Sequence, residues 1–189
     1  MIPIEVTNAY NDPDAIRQIA LKQKYYASGE HPLGGNYPGF RSDVINWFDE
    51  DLFQEIARGI YDAIGVDRSK PAHIEMFFQY CRKVDQPPEW VHRDDLYFKP
   101  NWVGLVYLTP NPPPHSGTAV YRLKEGETEN EDSMKDSPNR DDYVLDYEIV
   151  NEYNKLAMYS PLQPHDSLNC FGDNIENARL YIVFFMKID

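Results

Sequence analysis

The apolar residues change their period near residue 74. Before it they recur at helical spacing. Asn11-Asp-Pro-Asp-Ala supplies a cap, a proline suited to the first helical position and an acidic first turn, and Ile16, Ile19 and Ala20 follow on one face. This predicts a helix over about 13–27. Gly34-Gly-Asn-Tyr-Pro-Gly-Phe-Arg-Ser42 reads as turn chemistry throughout. Asp49-Glu-Asp51 then opens a second helix, with Leu52, Phe53, Ile56, Ile60 and Ile64 on one side and Gly65 as its stop. From Ile74 onward the runs are short and extended: Ile74–Cys81, Trp90–Asp94, Val103–Thr109, Thr118–Leu123, Tyr143–Val150, Lys155–Tyr159 and Leu180–Met186. Helices followed by antiparallel-looking strands predict an α+β, mainly β chain with a jelly roll or sandwich as its core.

Composition narrows this further. The 189 residues read as one domain, with a helical part over about 1–70 and a β core over about 71–189. The charge is strongly acidic, 18 Lys+Arg against 31 Asp+Glu for a net −13, and no basic cluster offers a nucleic-acid backbone its counter-charge. No apolar stretch approaches the roughly 20 residues of a membrane span, and the first residues lack the pattern of a secretory signal. Cys81 and Cys170 form no C-x-x-C or metal-knuckle spacing and read as reduced thiols, which favours a cytoplasmic protein. The segment 124–142 is polar and mostly acidic, and reads as a solvated loop or as a lid over a site.

Candidate chemistry sits in Glu89-Trp-Val-His92-Arg93-Asp94-Asp95. In a strand, His92 and Asp94 at i and i+2 project from the same face. By itself an H-x-D triplet is as readily a surface histidine beside acids. A second histidine, His165 in Gln163-Pro-His165-Asp-Ser167, precedes an apolar terminal run that begins at Arg179. Two histidines and one carboxylate on a facial triangle form the site of non-haem Fe(II) oxygenases. An inward Arg179 would require a carboxylate partner, whereas an outward one is only a strand-end charge. His31 and His115, in Pro/Gly loops, read as solvent-facing.

These residues resemble the Fe(II)/2-oxoglutarate-dependent dioxygenases, in particular the prolyl-4-hydroxylase-like branch with its double-stranded β-helix. The resemblance runs from about Tyr80 to the C-terminus. It comprises Tyr80 at a strand end, the H-x-D at 92 and 94, Val103-Gly-Leu-Val-Tyr-Leu-Thr109, Gly117-Thr-Ala-Val-Tyr121, His165 and the Arg179 strand. It implies a cupin-like jelly roll with the N-terminal helices packed on one sheet. His92, Asp94 and His165 would be the metal ligands and catalytic centre, with Arg179, Tyr107 and Tyr80 as the co-substrate residues. The His165-to-Arg179 step is longer than usual in that family and requires a bulged connection through Asn169-Cys-Phe-Gly-Asp173. Asp12-Pro-Asp-Ala-Ile-Arg17 and Tyr37-Pro-Gly-Phe-Arg-Ser42 look like a small branch of the superfamily.

The resemblance further implies Fe(II), 2-oxoglutarate as co-substrate and O2. The reaction would hydroxylate a peptide or protein side chain, or a small amino-acid-like molecule, releasing succinate and CO2. Neither a nucleic-acid nor a membrane partner is expected. An acidic rim formed by Asp95 and the 125–142 segment would favour a neutral or basic substrate. Two other readings stay open: a non-catalytic β-helix binding or structural protein, and a cupin-like metalloenzyme that does not use 2-oxoglutarate.

Overall fold

In the computed structural model, which describes residues 2–86, 91–94, 98–125 and 140–189, the period change near residue 74 becomes a division of layers. Asp12 caps the first helix α1 (Pro13–Ala20), its carboxylate accepting from Ala15 N–H at 2.9 Å, and Pro13 occupies the first turn. Asp49 does the same for α3 (Glu50–Ile64) through Leu52 N–H at 3.0 Å, and Gly65 ends that helix at φ 67°. A short α2 (Ile45–Phe48) precedes it.

The larger sheet runs β1-β8-β5-β10-β4-β3-β2 and is antiparallel throughout. Its members are β1 (Ile4–Val6), β2 (Tyr25–Ala27), β3 (Phe40–Val44), β4 (Ala72–Cys81), β5 (Trp102–Tyr107), β8 (Leu156–Tyr159) and β10 (Arg179–Ile188). The smaller sheet, β7-β6-β9, consists of β6 (Thr118–Leu123), β7 (Tyr143–Ile149) and β9 (His165–Ser167). His92 adds an isolated antiparallel bridge to His165 at its edge.

Strand alternation gives the larger sheet two apolar faces. Met76, Phe78, Val106, Leu180, Ile182 and Phe184 face α1 and α3 and meet Ile16, Ile56 and Ile60. Phe77, Leu105, Tyr159, Tyr181, Val183 and Phe185 face the smaller sheet and meet Val120 and Ile149. β10, paired on both sides, is buried over its first eight residues and reads as a continuous apolar run. The result is the expected jelly-roll-like α+β architecture with helices on one sheet.

Three local expectations are corrected. The first helix stops at Ala20, because Tyr25–Ala27 pairs with β3 and Tyr25 packs edge-on against Tyr80 at 4.9 Å. The turn-like segment ends in a strand, since Phe40–Ser42 belongs to β3 and pairs with both β2 and β4. Cys81 and Cys170, read as reduced thiols, are joined in a disulfide that ties the end of β4 to the β9–β10 connection. Sequence distance had said nothing about their proximity, and the disulfide removes the thiol argument for a cytoplasmic protein. No helix among the described residues is long and apolar enough to cross a membrane. The central part of the acidic 124–142 segment, together with Glu89, Trp90 and Asp95, lies outside the described residues, so the lid and acidic-rim readings do too.

Candidate functional site

Between the two sheets lies a cavity of about 270 Å³, into which His92, Asp94 and His165 project. β9 carries His165 opposite Val120 of β6. The 91–94 segment is held by reciprocal N–H to C=O bonds between His92 and His165, each 2.9 Å, and by Asp94 N–H donating to Pro161 O at 3.0 Å. One ligand atom from each of the three residues lies within 4.8 Å of the others. His165 Nδ1 is 2.9 Å from Gln163 O, so Nδ1–H donates there and Nε2 faces Asp94 Oδ2 at 3.3 Å. A carbonyl that fixes one ring nitrogen aims the other at a metal. The three side chains thus fit a divalent cation bound on one side, with the cavity opposite.

Electrostatics keeps the carboxylate available. Burial pushes Asp94 upward, but the His165, His92 and Arg41 charges outweigh it and the net shift is downward. Burial pushes His165 downward, but Asp94 and the hydrogen bond to Gln163 outweigh it and the net shift is upward.

Arg179 points inward and is fully buried. Its Nε donates to Ser116 O at 2.8 Å, Nη2 to Gly117 O at 3.0 Å and Thr118 Oγ1 at 3.2 Å, and Nη1 to Ser167 Oγ at 3.0 Å. Among the described residues no carboxylate forms an ion pair with it. Tyr107 OH and Thr118 Oγ1 lie 2.9 Å apart, so tyrosine, threonine and guanidinium form one buried polar cluster. Arg179 and Tyr107 stand behind the cavity wall, whereas their partners Thr118 and Ser167 line it. Gly117 makes this possible, since a Cβ there would sit 1.9 Å from Ile149 O.

Tyr80 is not brought to this place. It alternates onto the helix side of β4, stacked on Phe40 at 4.9 Å, and Gln79 takes the inward position. His31 is also corrected: it is buried, with Nδ1 accepting from Leu33 N–H and Nε2 2.9 Å from Ser42 O. His115 is exposed beside Glu148. Arg41 and Gln79 also line the cavity, and neither was legible as a site residue in the sequence. The only signal for Arg41 was its place in Tyr37-Pro-Gly-Phe-Arg-Ser42.

The fold is shared with solved oxygenase structures. HygX from Streptomyces hygroscopicus, crystallised with nickel, 2-oxoglutarate and hygromycin B, superposes at a TM-score of 0.64 with 10% identity, over 98% of this chain and 82% of that one. SnoN, the non-heme alpha ketoglutarate dependent epimerase from nogalamycin biosynthesis, gives 0.62 and 10%, covering 98% and 78%. A prolyl hydroxylase from Trichoplax adhaerens, in complex with a peptide fragment of the hypoxia inducible factor oxygen degradation domain, gives 0.52 and 10%, covering 98% and 83%. No curated protein sequence matches the chain at a significant level. Residues 4–154 match a family of unknown function, DUF6445, and the chain belongs to that family.

Proposed function

We propose that this protein is an Fe(II)- and 2-oxoglutarate-dependent oxygenase with His92, Asp94 and His165 as its metal ligands. The observation that carries the reading is the convergence of those three side chains on a cavity, with a carboxylate-free, fully buried Arg179 held against the cavity-lining Thr118 and Ser167. The likeness in fold to HygX, SnoN and a prolyl hydroxylase supports it. A bound iron would supply the oxidation of 2-oxoglutarate to succinate and CO2 and the activation of O2.

The chain's own residues do the rest. Gln163 O fixes the His165 tautomer, and Asp94 balances metal charge. Thr118 and Ser167, held against Arg179, present hydroxyls to the far carboxylate of the co-substrate, and Arg179 supplies the countercharge. Tyr107 supports Thr118. Val103, Leu105 and Val183 keep water from the reacting end. The hydroxylase activity, and within it the prolyl-4-hydroxylase-like branch, belong to this proposal.

Equilibrium dialysis against Mn(II) tests the site: about one metal per chain in wild type and none in His92→Ala or Asp94→Ala supports the ligand set. The iron-loaded protein should then convert 2-oxoglutarate to succinate even without substrate, at a slow uncoupled rate. Metal binding without any succinate supports the cupin-like alternative instead.

A further inference from the structure

We infer that the cavity holds a second anion anchor, in which Arg41 receives a carboxylate of the primary substrate, so that the substrate is a small carboxylic acid with an apolar body. This rests on the oxygenase reading and extends it to a substrate class.

Arg41 lies in one row with Gln79 and Tyr181 across β3, β4 and β10. Its Nε and Nη2 both donate to Gln79 Oε1, at 2.9 and 2.7 Å. Gln79 Nε2 in turn donates to Pro38 O at 2.9 Å, which sets the amide with its oxygen toward the guanidinium. The Tyr37 ring stacks 4.2 Å from the guanidinium carbon. The segment is fixed by Gly39, at φ +73°, where a Cβ would lie 2.1 Å from Tyr80 O. One edge of the guanidinium is therefore pinned, while Nη1 makes no hydrogen bond among the described residues.

The charge is also uncommitted. Among the described residues no carboxylate forms an ion pair with Arg41, and the acids that act on it from a distance are Asp94 and Glu75. Once Asp94 serves a metal, its charge is shared with that metal and Arg41 faces the cavity as a cation in need of an anion. Arg179 already stands at the Thr118–Ser167 end, so the two guanidiniums suit two different carboxylates, those of co-substrate and substrate. Leu105, Val183 and Phe185 also line the cavity, which suits an apolar body, and the part of its about 270 Å³ left beside the co-substrate suits a small one.

The test uses the full chain loaded with nickel, which holds the site without turnover. Binding of 2-oxoglutarate is titrated first. Saturation-transfer NMR then follows mixtures of L-amino acids and their C-terminal amides on wild type, Arg41→Gln and Arg41→Lys, with circular dichroism confirming each fold. Wild type should bind the apolar acids, and the amides at least about tenfold more weakly. Arg41→Gln should weaken the acids about 10- to 100-fold and leave the amides alone, with Arg41→Lys in between. Acids and amides binding alike, neither binding, or acids unaffected by Arg41→Gln overturns the inference. So does loss of 2-oxoglutarate binding in Arg41→Gln, which makes Arg41 the co-substrate anchor. A wild type that never binds 2-oxoglutarate sinks the oxygenase reading at the first titration, before any acid is added.

Discussion

Asp94 beside His165 favours a proton on the imidazole, and a metal would have to displace that proton. The imidazole titrates above its ordinary value of about 6.5 because the carboxylate at 3.3 Å outweighs burial. A metal binds only the neutral ring, so affinity should fall by up to about tenfold per pH unit below that raised value, beginning above pH ~6.5. Mn(II) titrations between pH 5.5 and 8 check this, and an affinity flat over the window contradicts it. Gly117 makes the other sharp residue-scale prediction. A Cβ at 1.9 Å from Ile149 O meets backbone that cannot swing away, so Gly117→Ala should cost about 1–3 kcal/mol in a denaturant melt. It should also weaken 2-oxoglutarate binding, because the carbonyl that holds Arg179 Nη2 moves with it. Unchanged stability would mean the chain relaxes where the packing leaves no room.

At the scale of elements, the sequence spoke most clearly where a local rule and the fold agreed. Caps at Asp12 and Asp49 and the stop at Gly65 set three helix ends, and β6 begins and ends where its Thr118–Leu123 pattern does. Phe40–Val44 escaped because its central partner β4 lies far along the chain, and Tyr25–Ala27 escaped because its partner β3 carries turn residues, so strand pairing overrode local propensity. The H-x-D spacing made His92 and Asp94 legible. Tyr80 misled, because a one-residue step along a strand exchanges the cavity for the helix layer, and Gln79 could be recognised only once the register was known. The disulfide was illegible for the same reason: its cysteines are 89 residues apart. Closing so long a loop restricts the unfolded chain, by about 4.5 kcal/mol in the chain-entropy model. Reduction should therefore lower the urea midpoint markedly, and thiol titration of the unreduced, unfolded protein should find no free thiol. Two free thiols per chain would restore the reduced-cysteine reading.

Across the whole molecule, a chain of net −13 concentrates inward-facing cations between its sheets. A buried guanidinium such as Arg179 and a half-buried, cavity-facing one such as Arg41 are costly without anions, so both are best explained by what binds there. The α+β architecture was readable from the period change alone, because two stacked sheets with one helix-covered face are how such a pattern hides its apolar surface. The cavity was not, because it depends on which side chains the register turns inward. Replacing Arg179 by Gln should weaken 2-oxoglutarate about 10- to 100-fold while leaving metal affinity near wild type.

The most direct measurement is an anaerobic titration of the metal-free protein with Fe(II) and then 2-oxoglutarate, watching for the weak visible charge-transfer band of the chelate. Wild type should show a band that disappears in His92→Ala and needs far more 2-oxoglutarate in Arg179→Gln. Fe(II) binding with no band at saturating 2-oxoglutarate would contradict the oxygenase reading.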